Sequence, residues 1–270
     1  MHLGRQTSFS KSRKSLSNSN LIPRVIGVIP ARYASKRLPG KPLLDLCGKS
    51  IIEHVYERAQ KARLLSEVLV ATDDERISTA VERFGGKAVI TPITIQSGSD
   101  RTAYAAKHLQ ADIIVNIQGD EPLIKPEMID ETVQALLEDT AAEVSTPVKR
   151  ITSHEELSDP NVVKVVVDEN GFALYFSRSM IPFLRSEQNE QVWLKRHRYY
   201  KHVGLYVYRK EFLFTFTQWG RSPLEQAEEL EQLRILEHGH RIKCVTTEHD
   251  SLSIDTREDL ERVRTMLMKN

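Results

Sequence analysis

Apolar and polar positions follow two rhythms along this chain, and the change falls near residue 140. "VIGVIP", from Val25, is a short continuous apolar run, as expected of a strand buried on both faces. Ile51, Ile52, Val55, Tyr56, Ala59 and Ala62 then recur at helical spacing, and "EVLVATD" predicts the next strand. Ile77, Ala80, Val81 and Phe84 mark a helix that Gly85 and Gly86 close with a left-handed cap. A strand in "KAVITP", a short helix over "DRTAYAAKHL" and a fourth strand in "DIIVNIQGDEP" complete a β-α-β-α order. That order predicts a parallel sheet with helices on both faces.

Beyond residue 140 the pattern becomes richer in strands. "EVSTPVKRI" reads as a strand, and "VVKVVVDENGFALYFSR" as two β-rich runs joined by a turn at Asp168–Gly171. "KHVGLYVYR" predicts another strand, and "SPLEQAEELEQLRILEHG" one long helix from Ser222, with Pro223 at its first position, to Gly239. After a last strand, "RIKCVTT", Thr256 caps a C-terminal helix whose first turn Asp259 favours. The expected architecture is one α/β core over residues 25–270, a doubly wound, mostly parallel sheet with a β-rich insertion at about 150–215. No internal repeat is visible.

A chain of 270 residues fits one large α/β domain or two small ones. No apolar run reaches membrane-spanning length, so a soluble protein with no membrane span is expected. The formal charge of +1 conceals an asymmetry: Arg5, Lys11, Arg13, Lys14 and Arg24 face no acid in the first 24 residues, so the remainder is net acidic. This argues against a nucleic-acid binder, which spreads basic charge over its folded part. Residues 1–24, rich in Ser, Asn and Lys/Arg, are expected to be a disordered basic extension. A plain tail, an upstream start and a transit peptide all fit that composition. Cys47 and Cys244 stand far apart, which predicts a reducing compartment and no structural disulfide.

The candidate chemistry begins in "PARYASKRLPGKPL", where Arg32, Lys36, Arg37 and Lys41 crowd around Gly40, Pro39 and Pro42. The loop after the first strand of an α/β sheet lies at the carboxyl edge, where ligands bind. Four cations there repel one another unless an anion such as a triphosphate neutralises them, with Arg32 forking two oxygens and Lys41 acting as a point charge. No GxGxxG follows the strand and no GxxxxGK[ST] occurs, so neither a dinucleotide fold nor a P-loop is indicated. Asp120 follows Gly119 at the end of a predicted strand, and Asp255 precedes a helix. Two hard oxygen ligands beside a triphosphate suit Mg²⁺. Capping is the competing role for Asp255. Taken alone, these residues indicate a metal-dependent enzyme that uses a nucleoside triphosphate.

"IPARYASKRLPGKPL", "VATDDERI", "QSGSDR", "VNIQGDEP", "ALYFSRSMIPF", "YKHVGLYVYR", "LEQLRILEHGHRIKCV" and "IDTREDLERV", in this order, closely resemble the 3-deoxy-manno-octulosonate cytidylyltransferase family from Val25 to the C-terminus. The resemblance implies a nucleotide-diphospho-sugar transferase-like fold and a cytoplasmic, homodimeric, Mg²⁺-dependent enzyme. Its reaction would transfer CMP from CTP to 3-deoxy-manno-octulosonate (Kdo) for lipopolysaccharide synthesis. It further implies that Arg32 and Lys41 contact the triphosphate, that Ser97, Gly98 and Arg101 lie near the cytidine, and that Asp120 and Asp255 bind metal. Gln118, Arg178, His202, Glu231 and Gln232 match positions lining the sugar-acid pocket. By residue type alone, Arg178 equally suits a hairpin anchor, His202 a satisfied strand residue and Glu231 a solvent face. Asp100 and Lys201 are similar to a branch acting on the 8-amino analogue of the sugar, whereas Glu121 departs from it, so both sugars stay open. The alternative from another class is a catalytically silent nucleotide-binding scaffold.

Overall fold

A computed structural model describes residues 23–34 and 38–269, so Lys36, Arg37 and most of the predicted extension lie outside the described residues. Arg24, assigned to that extension from the sequence, belongs to the fold instead. Its backbone N–H donates to Asp112 Oδ2 at 2.7 Å and its guanidinium to Glu67 Oε2 at 3.1 Å.

The first half runs β1 (Val25–Ala31), a ribbon of β2 (Asp45–Leu46) and β3 (Lys49–Ser50), α1 (Ile51–Ala59), β4 (Glu67–Thr72), α2 (Glu75–Arg83), β5 (Ala88–Ile90), α3 (Gly98–Ala106) and β6 (Ile113–Asn116). The strands lie in the order β5-β4-β1-β6, all parallel. The chain therefore steps outward from β1 on one side and then crosses to β6 on the other. The crevice opened by that reversal is where an α/β sheet places its ligand.

Both faces of β1, β4 and β6 are covered, which explains why their apolar runs are continuous, while the edge strand β5 is partly exposed. Val25, Ile29, Val68, Val70, Ile113 and Val115 pack into one core with Ile52, Val55 and Tyr56 of α1. The intervening Ile26, Val28, Leu69, Ala71 and Ile114 pack into the other with Ala103 and Ala106 of α3. The period of two along each strand thus serves two cores at once.

The second half continues the same sheet. Its elements are α4 (Pro126–Glu138), β7 (Val144–Arg150), α5 (His154–Ser158), β8 (Lys164–Val167), β9 (Ala173–Ser177), α6 (Trp193–Arg196), β10 (Tyr200–His202), β11 (Tyr206–Arg209), α7 (Lys210–Phe216), α8 (Pro223–Glu228), α9 (Gln232–Glu237), β12 (Ile242–Thr246) and α10 (Arg257–Met268). From β6 the order proceeds β11-β7-β10-β8-β9, each pair antiparallel, while β12 adds parallel to β7. Among the described residues no helix is long and apolar enough to cross a membrane.

Two sequence-based elements prove to be divided. "KHVGLYVYR", expected as one strand, breaks at Val203–Leu205 between β10 and β11. The Thr146 hydroxyl donates to the Leu205 carbonyl at 2.7 Å inside that break, and the chain passes from pairing with β8 to pairing with β6. The long helix expected from Ser222 to Gly239 is two helices, parted at Glu229 with φ 52°. The reason is an ion pair. Arg234 donates to Glu225 at 2.8 Å and 3.0 Å, whereas in one straight helix these residues would stand about 13.5 Å apart along the axis and on opposite sides.

Candidate active site

The end of β1, the first turn of α3, the loop after β6 and the segment before α10 enclose a cleft of about 580 Å³. Arg32, Lys41, Ser97, Gly98, Arg101, Gln118, Asp120 and Asp255 all line it. Lining residues to which the sequence reading gave no role in the site include Gln96 and Gly119. Gly119 has a physical reason: a Cβ there would lie 2.8 Å from the Pro30 carbonyl oxygen, so only glycine lets the loops after β1 and β6 run this close. Gly40 sits at φ 70°, the left-handed region, and its N–H donates to the Tyr33 carbonyl at 3.0 Å, closing the neck of the cationic loop.

Asp120 and Asp255 come together through the backbone. The Ile254 N–H donates to the Asp120 carbonyl at 2.9 Å, docking the start of the last segment on the loop after β6. Thr256 and Asp259 form the reciprocal cap of α10, with N–H donors at 3.0 Å and 3.2 Å, so capping does not fall to the Asp255 side chain. Both carboxylates instead meet Lys41, whose Nζ donates to Asp120 Oδ2 at 2.6 Å and to Asp255 Oδ1 at 3.2 Å. This corrects the reading in which an external anion must relieve the whole cationic loop. Lys41 is compensated from within the protein.

The same geometry bears on metal binding. Two carboxylate oxygens within hydrogen-bond reach of one nitrogen can also reach one small cation, and hard oxygens match Mg²⁺. Among the described residues no cluster of three or more His, Cys, Asp or Glu offers a closed protein cage. An ion that keeps waters and takes phosphate oxygens needs none. Beside Asp120, Glu121 is buried and accepts a hydrogen bond from Ser251 Oγ, and burial raises its pKa to about 7.

Ser97 caps α3 by accepting the Asp100 N–H at 2.9 Å, which turns that helix N-terminus toward the cleft. Arg101, one helical turn further in, is fully engaged: it donates to Asp73 Oδ2 and to the Ile95 carbonyl, both at 2.9 Å, and to Thr91 Oγ1. It therefore braces the wall beside Gly98.

Arg178, His202, Glu231 and Gln232 do not line the cleft. Arg178 donates through Nε to the Glu228 carbonyl at 2.7 Å and through Nη1 to the Pro160 carbonyl at 3.0 Å, so it ties β9 to α8 and to a loop. His202 Nε2 lies 2.9 Å from Thr146 Oγ1, and burial against Phe176 and Tyr206 pushes its pKa down to about 3. The ring is neutral. Glu231 accepts from Ser99 Oγ at 2.6 Å and from Arg234 Nη2 at 3.2 Å, and burial raises its pKa. Through Ser99 it touches the first turn of α3, so it adjoins the nucleotide side. Gln232 is buried at the start of α9.

A parallel sheet that reverses at β1 sets Arg32, Lys41 and a converging acid pair around one carboxyl-edge cleft, the arrangement of a nucleotide-binding site. The family model described as Cytidylyltransferase matches residues 26–242, so the class is that of the cytidylyltransferases. A 3-deoxy-manno-octulosonate cytidylyltransferase of Geotalea uraniireducens is 52% identical over 250 residues, covering 91% of this chain and 100% of the relative. One from Chloroherpeton thalassium is 50% identical over 248 residues, covering 91% and 98%. A solved CMP:2-keto-3-deoxy-manno-octonic acid synthetase in complex with CTP is 44% identical, with a TM-score of 0.85, and covers 91% of this chain and 99% of its own. The chain belongs to the 3-deoxy-manno-octulosonate cytidylyltransferase family. A 4-diphosphocytidyl-2C-methyl-D-erythritol synthase from Anaerococcus prevotii, 14% identical with a TM-score of 0.60, shares the fold alone.

Proposed function

We propose that this protein transfers CMP from CTP to the anomeric 2-hydroxyl of Kdo in the cytoplasm, releasing pyrophosphate and supplying CMP-Kdo for lipopolysaccharide synthesis. The hydroxyl oxygen attacks the α-phosphorus, the bond from that phosphorus to the bridging oxygen of pyrophosphate breaks, and the hydroxyl proton passes to solvent. Asp120 and Asp255 would hold Mg²⁺, which when bound offsets charge on the triphosphate and acidifies the hydroxyl. Arg32 and Lys41 hold the triphosphate, and the first turn of α3, with Ser97 and Gly98, faces the nucleoside. Arg101 keeps that turn in place. Gln118, which lines the cleft, orients the sugar, with Glu231, Gln232, Arg178 and His202 shaping the wall behind it. Little covalent chemistry falls to side chains; they position reactants and stabilise charge as it shifts.

The observation that carries this reading is the meeting of Asp120 and Asp255 on one ammonium group at the carboxyl edge. The decisive experiment measures pyrophosphate release from CTP, UTP, ATP and GTP with Mg²⁺, with and without Kdo or its 8-amino analogue. Release is expected only with CTP and Kdo together, and only when the metal is present. Preference for the 8-amino sugar would overturn the sugar assignment, and silence in every mixture would favour a scaffold. A homodimer belongs to the same reading, supported by the exposed Leu174 on the edge strand β9 and by exposed Phe183. Light scattering should give twice the chain mass; a monomeric mass rejects it.

A further inference from the structure

Outside the cleft, Arg76 has an arrangement that neither the fold nor the acid pair requires. Its guanidinium carbon stands 3.3 Å from the centroid of the Tyr33 ring. Its edge is occupied by Asp74, which takes Nε at 2.9 Å and Nη2 at 2.7 Å, so the fork is fixed and its face is presented to the ring. Tyr33 is the residue whose carbonyl receives the Gly40 N–H at the neck of the cationic loop. Gly40 also lies against that ring: a Cβ at position 40 would come within 3.2 Å of it. Lys41 follows immediately.

The neighbouring Asp73 makes a second connection from the same turn, pairing at 2.9 Å with Arg101, which braces the α3 wall. Two consecutive aspartates after β4 therefore hold the two sides of the cleft, one through Arg101 and one through Arg76 and Tyr33. The Arg76 side chain is 60% exposed, so its loss leaves no cavity, and Asp74 still accepts the backbone N–H of residue 76 at 2.9 Å.

We propose that Arg76 and Tyr33 are a coupled pair of positioning residues for the triphosphate-binding loop, anchored on Asp74, which set CTP affinity without touching the nucleotide. The inference rests on the reading of the cleft as a CTP site. Removing the stack frees the neck of the loop and leaves the acid pair and the sugar side as they are, so the effect falls on nucleotide binding.

The test uses the full chain and two readouts, steady-state kinetics and CTP binding by calorimetry. Arg76→Ala is expected to raise both KM and Kd for CTP about tenfold, with kcat and the KM for Kdo within twofold of the parent. Tyr33→Ala should match it, Tyr33→Phe should behave like the parent, and Arg76→Lys should recover part of the loss. Because the two act as one unit, the double variant Tyr33→Ala/Arg76→Ala should be no worse than either single change. Unchanged CTP affinity in Arg76→Ala, or multiplied losses in the double variant, overturns the proposal. A parent protein that binds CTP and turns over Kdo while Arg76→Ala equals it would sink this inference alone; a parent that binds no CTP would sink the reading beneath it.

Discussion

Along the carboxyl ends of β1 and β6, polar side chains face an open cleft, whereas in the antiparallel half the side chains matched to the sugar site are bonded to their own protein. Arg32 is exposed at the rim, and Gly98 and Gln96 are exposed across from it. Arg178, His202 and Glu231 each have protein partners instead, two carbonyls, a hydroxyl, and a serine with an arginine. Lys41 shows how the first region copes with its charge: the carboxylates that would hold a cation hold an ammonium. Open groups can be recruited by a ligand directly. Saturated groups either shape a wall or must exchange a partner to bind one.

The largest effect separating the regions lies in the acid pair. Asp120→Asn keeps the shape of the side chain but removes its charge, and turnover in the pyrophosphate assay should fall on the order of 10²-fold or more with little change in folding. Near-normal turnover would falsify the assignment. The contrast sharpens with arginines. Arg178→Ala strands two carbonyl acceptors and should lower unfolding stability by about 1–3 kcal/mol, while Arg32→Ala should shift it by no more than about 0.5 kcal/mol. Urea denaturation of both variants decides this. If Arg178→Ala unfolded like the parent and lost only Kdo affinity, the two regions would not differ in the way described.

The smallest effect is one of pH. The folded protein keeps His202 neutral down to about pH 3, whereas an unfolded histidine takes up its proton near pH 6.5. Between those values the unfolded chain binds the extra proton, so stability is complete above 6.5 and is lost as pH falls. At pH 5 the loss reaches about 2 kcal/mol at most. His202→Gln should flatten that part of the acid limb when urea midpoints at pH 7 and pH 5 are compared. Equal losses in both proteins would remove His202 as the cause.

The parallel half was legible because β1, β4 and β6 are buried on both faces and Gly85 closes α2 in the left-handed region; in the second half Gly239 closes α9 likewise and Thr256 caps the start of α10. Even so, the sequence-based elements do not include α4, although Pro126 opens it and Met128, Ile129, Val133 and Leu136 mark its buried face. The division at Val203–Leu205 is held by Thr146, 59 residues away in the chain, and that at Glu229 by the pairing of Arg234 with Glu225, nine residues apart; the hydrophobic period announces neither. Asp120 and Asp255 were recognisable singly. Their meeting depends on a backbone bond between Ile254 and Asp120, and their shared ammonium on Lys41 in another loop. Arg76 carried no signal beyond its motif, because stacking on Tyr33 is a matter of three-dimensional placement.

The bend at Glu229 makes a short stretch act as a ruler. On one side Glu228 takes the Ser177 hydroxyl at 2.6 Å and the Arg178 N–H at 3.0 Å; on the other, Glu231 takes the Ser99 hydroxyl. Exchanging a side chain inside this stretch disturbs one grip. Inserting or deleting a single residue would misalign both together, so length, more than composition, is what natural or engineered variation must leave alone between them.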